Sequence, residues 1–285
     1  MKIKFLLLSL TTSLVFGITG CMKSNESQDE EKIIENVAAI EAFINSDSQG
    51  SSAIKDTTGF YYINRVSNPS GITPKLGDAA SVNINAYLLN GTQVISYDDD
   101  SLFTFTVGAY NTGFYGLDLG VTKMKTGEKT TFLLPYYLAF GSANQTNIPG
   151  YSPIRMELEL IKTRTEEQQI DDFVAKKQFV VSEKTTNGLV IIRTNEVLGD
   201  AIGAGKSVSV KYVGKFLNGT TFDSGTFPFT TGTNATVAGF DTAISKMRKG
   251  EKAIIIFPSS LGYGASGSSS IPGYTPLYFE VEVAQ

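Results

Sequence analysis

The strongest constraint on what this chain can fold into is that it repeats itself. Met124-Lys125-Thr126-Gly127-Glu128-Lys129 returns as Met247-Arg248-Lys249-Gly250-Glu251-Lys252, and Ile148-Pro149-Gly150-Tyr151-Ser152-Pro153 returns as Ile271-Pro272-Gly273-Tyr274-Thr275-Pro276, both 123 residues later. Gly116-Leu117-Asp118 and Gly239-Phe240-Asp241 keep that offset. Phe103-Thr104-Phe105 and Phe227-Pro228-Phe229 lie 124 apart, and Asn90-Gly91-Thr92 and Asn218-Gly219-Thr220 lie 128 apart. The drift places four extra residues of the first copy around Asp98-Asp99-Asp100, and one more before Gly116. Loops absorb such insertions at small entropic cost, so the expectation is one fold used twice with differing loops.

Hydrophobic periodicity fills in each copy. Ile33, Val37, Ile40 and Phe43 predict a helix over 30–43, and Ile170, Phe173, Val174 and Phe179 predict one over 166–179. Short β-patterned runs follow: Phe60-Tyr61-Tyr62-Ile63 and Val82-Asn83-Ile84 in the first copy, Leu189-Val190-Ile191-Ile192 and Val208-Ser209-Val210-Lys211-Tyr212 in the second. A short helix over 241–247 and strands at 252–257 and 277–283 complete the second unit. The implied class is α+β: tandem domains, each a curved antiparallel sheet wrapped on a short helix, each preceded by an N-terminal helix. Ile202-Gly203-Ala204-Gly205-Lys206-Ser207 imitates the tail of a phosphate-binding loop, but Asp200 stands where the first glycine belongs. The residues that follow alternate as a strand rather than opening a helix.

Composition excludes much chemistry. The 285 residues contain no His and one Cys. Catalytic triads, imidazole bases, the usual zinc sites and intrachain disulfides all fall, and neither a cofactor nor a metal is expected. A net charge of −4 argues against nucleic acid as a partner. Lys2 and Lys4 before an apolar run from Phe5 to Phe16 have the layout of a secretory signal over residues 1–20. Ile18-Thr19-Gly20-Cys21 resembles the bacterial lipobox, which implies lipidation of Cys21 and a membrane anchor at the N-terminus. Residues 21–50 then comprise the lipidated Cys, an acidic tether and a helix. Met22 is not the aspartate that commonly retains lipoproteins at the inner membrane, so the expected place is the cell envelope at the outer membrane, with the face left open.

Over 185–285 the chain resembles the FKBP-type peptidyl-prolyl cis-trans isomerases. The resemblance rests on ordered motifs: Val210-Lys211-Tyr212-Val213-Gly214, Asn218-Gly219-Thr220-Thr221-Phe222-Asp223-Ser224, Phe227-Pro228-Phe229, Val237-Ala238-Gly239-Phe240-Asp241, Leu261-Gly262-Tyr263-Gly264, Ile271-Pro272 and Leu277-Tyr278-Phe279. It implies a catalytic set of Asp223, Tyr212, Phe222, Phe240 and Tyr263, with Phe240 as pocket floor where the family often has Trp. Phe227, Val237, Ile271 and Phe279 are implied as substrate-binding walls, Tyr263 and the Val237 amide as donors to substrate carbonyls, and Asp223 as the group that orients Tyr212. Phe229 is read as core. The chemistry fits the composition: rotation about an X-Pro bond faces ~18–20 kcal/mol of amide resonance, yet no bond is made or broken, so an apolar cleft can do without His, Cys or metal.

Aligned through the repeat, Ile84, Val94, Ile95, Leu117, Phe140 and Met156 stand where Tyr212, Phe222, Asp223, Phe240, Tyr263 and Phe279 are. The polar groups are gone. Residues 51–163 are therefore expected to form a degenerate domain, as spacer, substrate holder or packing partner. Residues 164–184 are expected as a linker helix and 185–285 as the catalytic domain. The expected activity is prolyl isomerisation that assists folding of envelope proteins, on proline-containing unfolded or extended polypeptides, with macrolide inhibitors of the FKBP class as candidate ligands. The alternative is a non-catalytic lipoprotein that uses the fold to dock peptides or proteins.

Overall fold

The computed structural model describes residues 25–98 and 100–284. The expected signal segment 1–20 and Cys21 lie outside the described residues. No helix among those described is long and apolar enough to cross a membrane.

The first domain follows helix α1 (Asn25–Ser46), which starts within the segment expected as a tether. Its strands are β1 (Ile54–Lys55), β2 (Tyr61–Val66), β3 (Ala79–Leu88), β4 (Gln93–Tyr97), β5 (Phe103–Thr106), β6 (Lys129–Leu134) and β7 (Ile154–Arg164), with helix α2 (Tyr115–Val121) between β5 and β6. Helix α3 (Glu166–Lys176) leads into β8 (Glu183–Lys184), β9 (Val190–Arg193), β10 (Ser207–Phe216), β11 (Thr221–Thr230), helix α4 (Ala238–Lys246), β12 (Lys252–Phe257) and β13 (Leu277–Val283). Both sheets are antiparallel with one topology: β1-β2-β6-β7-β3-β4 with β5 also on β3, and β11-β10-β13-β12-β9-β8. Strand β8 already belongs to the second sheet, so that domain takes up the chain just ahead of residue 185.

The offsets read from the sequence are those of the strand registers. Ala86 faces Met156 on β7 and Ile95 on β4, just as Gly214 faces Phe279 on β13 and Asp223 on β11. The inserted residues split one edge strand into two, β4 and β5, where the second domain keeps β11 whole. Repeated acids explain other shared motifs. Asp118 accepts from Gly108 N at 2.9 Å and Asp241 from Gly232 N at 2.8 Å; Glu128 accepts from Lys125 N at 2.8 Å and Glu251 from Arg248 N at 2.7 Å. These buried carboxylates satisfy turn amides, a structural task.

Each sheet is covered on both faces. Phe240, Ala243 and Ile244 of α4, and Met247 just after it, pack on Val210, Ile255, Phe257 and Phe279. On the outer face Ile170 and Phe173 of α3 meet Val190, Ile192, Ile256 and Tyr278, while Ile40 of α1 meets Tyr61 and Leu133. Helix α3 begins in a capping box, with Thr165 Oγ1 accepting from Gln168 N and Gln168 Oε1 from Thr165 N. It stops at Lys176 rather than running to Phe179, because Gln178 turns left-handed (φ 56) and the amides of Gln178 and Phe179 bond back to Ala175 O and Val174 O. Helix α4 opens at Ala238, earlier than the 241 read from periodicity, with Val237 as its N-cap residue.

Candidate functional site

A cavity of about 200 Å³ opens between α4 and the concave face of the second sheet. Tyr212 comes from β10, Phe222 and Asp223 from β11. Thr221 pairs with Lys215 and Asp223 with Gly214, so Phe222 is the extra residue of a bulge. Alternation would send neighbours Phe222 and Asp223 to opposite faces; the bulge lets both line the cavity. Phe227 lies further along β11, Val237 caps α4, Phe240 sits in its first turn and Phe279 is mid-strand on β13. Phe240 and Phe279 form a buried floor with ring centroids 5.3 Å apart at 74°, and Phe222 meets Phe279 edge-on at 5.5 Å. Edge-to-face pairs of this kind each contribute about 0.5–1.5 kcal/mol beyond burial. Phe227 and Tyr263 stand exposed at the rim.

The polar element is one pair. Tyr212 Oη donates to Asp223 Oδ2 at 2.8 Å, and Asp223 Oδ1 accepts from Ser224 N at 2.8 Å. Burial, and then the bond to Asp223, push the Tyr212 hydroxyl up to about 12. Such a tyrosine holds its proton and donates a fixed hydrogen bond. Among the described residues no group of three or more carboxylate, Cys or His side chains is placed to hold a metal.

Eight of the nine residues singled out from sequence share this cavity; Ile271 does not line it. It is buried in the core cluster with Phe240 and Phe279, and it exchanges two backbone hydrogen bonds with Ser268 at the base of the loop tip. Ala235 and Thr236 line the cavity although sequence reasoning passed over them; their only signal was their place directly before Val237. Phe229 is core, stacked behind Phe227.

A further residue supports the site from behind. Glu166 of α3 accepts from Ser259 N at 2.6 Å and from Ser259 Oγ at 2.7 Å. Ser259 O in turn accepts from Gly262 N and Gly264 N, the residues either side of Tyr263. Burial raises the Glu166 carboxyl above its ordinary range, with the Ser259 donors pulling against it. In the first domain the amide of α1 residue Asn36 does the same work, accepting from Tyr136 N at 2.9 Å. Glu166 was legible only as an acidic residue in a helix's first turn.

The equivalent space in the first domain is filled. Ile84, Leu117 and Met156 are fully buried, and Ile84 and Ile95 replace the Tyr212–Asp223 pair. Phe114 takes the place of Val237 and stacks on Phe140, the counterpart of Tyr263, with centroids 4.9 Å apart at 22°. A larger hollow of about 540 Å³ lies on the outer face of the first sheet and holds ion pairs such as Arg65–Asp47 at 2.7 Å and Lys129–Glu159 at 3.0 Å.

The family model of the FKBP-type peptidyl-prolyl cis-trans isomerase matches the chain twice, over residues 70–161 and 199–284. The human peptidyl-prolyl cis-trans isomerase FKBP9 is 26% identical over 218 residues, which is 73% of this chain and 35% of that protein. FK506-binding protein 4 of Dictyostelium discoideum is 40% identical over 89 residues, 30% of this chain and 24% of that protein. The chain thus covers about a third or less of the length of either of these two relatives. Among solved structures, the three FKBP domains of wheat FKBP73 align with a TM-score of 0.40 and 24% identity, covering 80% of this chain and 95% of that one. FkpA from Escherichia coli aligns with a TM-score of 0.40 and 23% identity, covering 49% and 64%.

Proposed function

The chain belongs to the FKBP-type peptidyl-prolyl cis-trans isomerase family, and from that premise we propose that it catalyses prolyl isomerisation through its C-terminal domain and assists folding of proteins in the bacterial envelope. The observation that carries the reading is the Tyr212–Asp223 pair at the edge of an aromatic cavity, present in the second domain and replaced by isoleucines in the first.

The cavity suits the reaction. Twisting the imide breaks amide resonance and returns charge to nitrogen, so the carbonyl oxygen becomes less polar as the barrier is approached. An apolar chamber floored by Phe240 and Phe279 favours that state over either planar form. Tyr212 and Asp223 supply a fixed dipole beside it, and Tyr263 at the rim a hydroxyl for a neighbouring carbonyl. No proton transfer is required. The first domain, without these groups, is assigned no turnover. The lipobox-like Cys21 supports a tethered protein at the outer membrane.

The test is cis-to-trans conversion of a proline tetrapeptide by the full chain and by its Asp223→Ala and Ile95→Ala variants. Asp223→Ala is expected to lower kcat/KM by about tenfold or more, the loss for a hydrogen bond to a charged group, and Ile95→Ala to leave it within twofold. Peptide binding with no rate enhancement by the unaltered chain would overturn the enzyme reading in favour of a docking module.

A further inference from the structure

The first domain has lost its cavity, but its mouth has not become an ordinary polar surface. Reading the strand registers and loop offsets position by position, Tyr97 replaces Gly225, Tyr110 replaces Asn234, Phe114 replaces Val237 and Tyr115 replaces Ala238, while Phe103 keeps the place of Phe227. The loop equivalence holds in detail, since Tyr110 and Asn234 share the left-handed backbone (φ 49 and 58). Four positions that are small or polar around the working cleft are aromatic here. Three of these residues stay partly in solvent: Tyr97 is 40% exposed, Tyr110 44% and Tyr115 55%. They are ordered in pairs, Tyr110 stacked on Tyr115 at 5.0 Å and 23°, and Tyr97 against Phe103 at 5.2 Å. Phe114 and Phe140 are the rings of this group that join the core of the domain. The outer tyrosines lie outside that core.

We infer that the mouth of the first domain is a docking surface for an extended, proline-containing segment of the same polypeptide whose prolyl bond occupies the second domain's cleft. The inference rests on the isomerase reading of the C-terminal domain. Tyrosine faces receive pyrrolidine rings of an extended chain, and their hydroxyls reach its carbonyls; aromatic-lined surfaces recognise proline-rich segments in this way at little entropic cost. Charge narrows the occupant. The inserted loop beside Tyr97 carries exposed Asp100, while Asp98 lines the hollow on the outer face; the acidic loop favours segments flanked by Lys or Arg. A chain held at one of two tandem domains meets the other at raised effective concentration when its length matches the distance between them.

The experiment uses the full-length protein, a fluorescein-labelled peptide of about 30 residues with two prolines and lysine flanks, and a proline tetrapeptide. At about 3.3 Å per residue the long peptide can reach ~100 Å, against ~13 Å for the tetrapeptide. The Tyr97→Ser/Tyr110→Ser/Tyr115→Ser variant is expected to bind the long peptide at least tenfold more weakly than the unaltered protein, with tetrapeptide kcat/KM within twofold and Tm unchanged. Added salt should weaken binding by the unaltered protein. Equal affinity in the two proteins would overturn the proposal, as would sedimentation showing that the tyrosines instead join two copies of this chain. If the triple variant unfolds, Tyr115→Ser alone, at the most exposed ring, decides by the same measurements. Absence of tetrapeptide turnover by the unaltered protein would sink the isomerase reading, and the peptide affinities would still report on this surface.

Discussion

At the scale of single residues, what matters most is that Tyr212 keeps its proton. A tyrosine whose pKa is raised on folding stabilises the native state in full below its unfolded value of about 10, and loses that contribution as pH rises through the folded value. For Tyr212 the window runs from about 10 to about 12. Stability should therefore decline across that range, with a tyrosinate absorbance step later than that of an exposed tyrosine. In Asp223→Ala the late step should move to lower pH, since the hydrogen bond that supports it is gone. Sequence alone located this pair because motif order brought both residues to one hairpin. It misplaced Ile271 for a physical reason: an apolar residue beside a cleft can point into the cleft or into the core behind it, and only packing decides. Ala235 and Thr236 were invisible because small residues carry no signature; they form walls by position.

Among elements, strands were more legible than helices. The strands follow from alternation, and their pairing from the repeat. Helix limits depended on local turns: α3 ends where Gln178 turns left-handed, which no periodicity reports, and α4 opens early because Val237 rather than Asp241 starts it. The seating of α4 depends on one glycine. A Cβ on Gly239 would press into the ring of Phe257, and Gly116 sits equally close to Leu134. Gly239→Ala is expected to cost about 1–3 kcal/mol by overpacking, read as a shift in the urea midpoint. Glu166 couples elements in another way, holding the turn that carries Tyr263. Glu166→Ala should lower kcat/KM about tenfold, equivalent to ~1.4 kcal/mol, and Glu166→Gln should restore most of it, because its amide oxygen still accepts from Ser259 N. In a Tyr263→Phe background the alanine change should cost little more; full additivity would show that Glu166 does not act through Tyr263.

For the whole molecule, duplication followed by divergence accounts for both the fold and its unequal halves. The repeat disclosed two domains before any element was assigned, and the lost polar groups are the ground for proposing the second half as the working one. The aromatic mouth of the first domain was not legible, since tyrosines in loops look ordinary until the register shows what they replaced. Cellular placement rests on Cys21: Cys21→Ser is expected to move the protein from the membrane to the soluble fraction, and unchanged fractionation would refute lipidation.

The sheet order has a consequence for synthesis. In each domain the last strand made, β7 or β13, lies in the interior of its sheet, between β6 and β3 or between β12 and β10. Neither sheet can close until its final segment has been released, which for the second domain is β13, Leu277–Val283. Its two parts, β11-β10 and β12-β9-β8, wait unjoined and with apolar faces bare until β13 has emerged. Loss of β13 would therefore remove the middle of a domain rather than trim an edge.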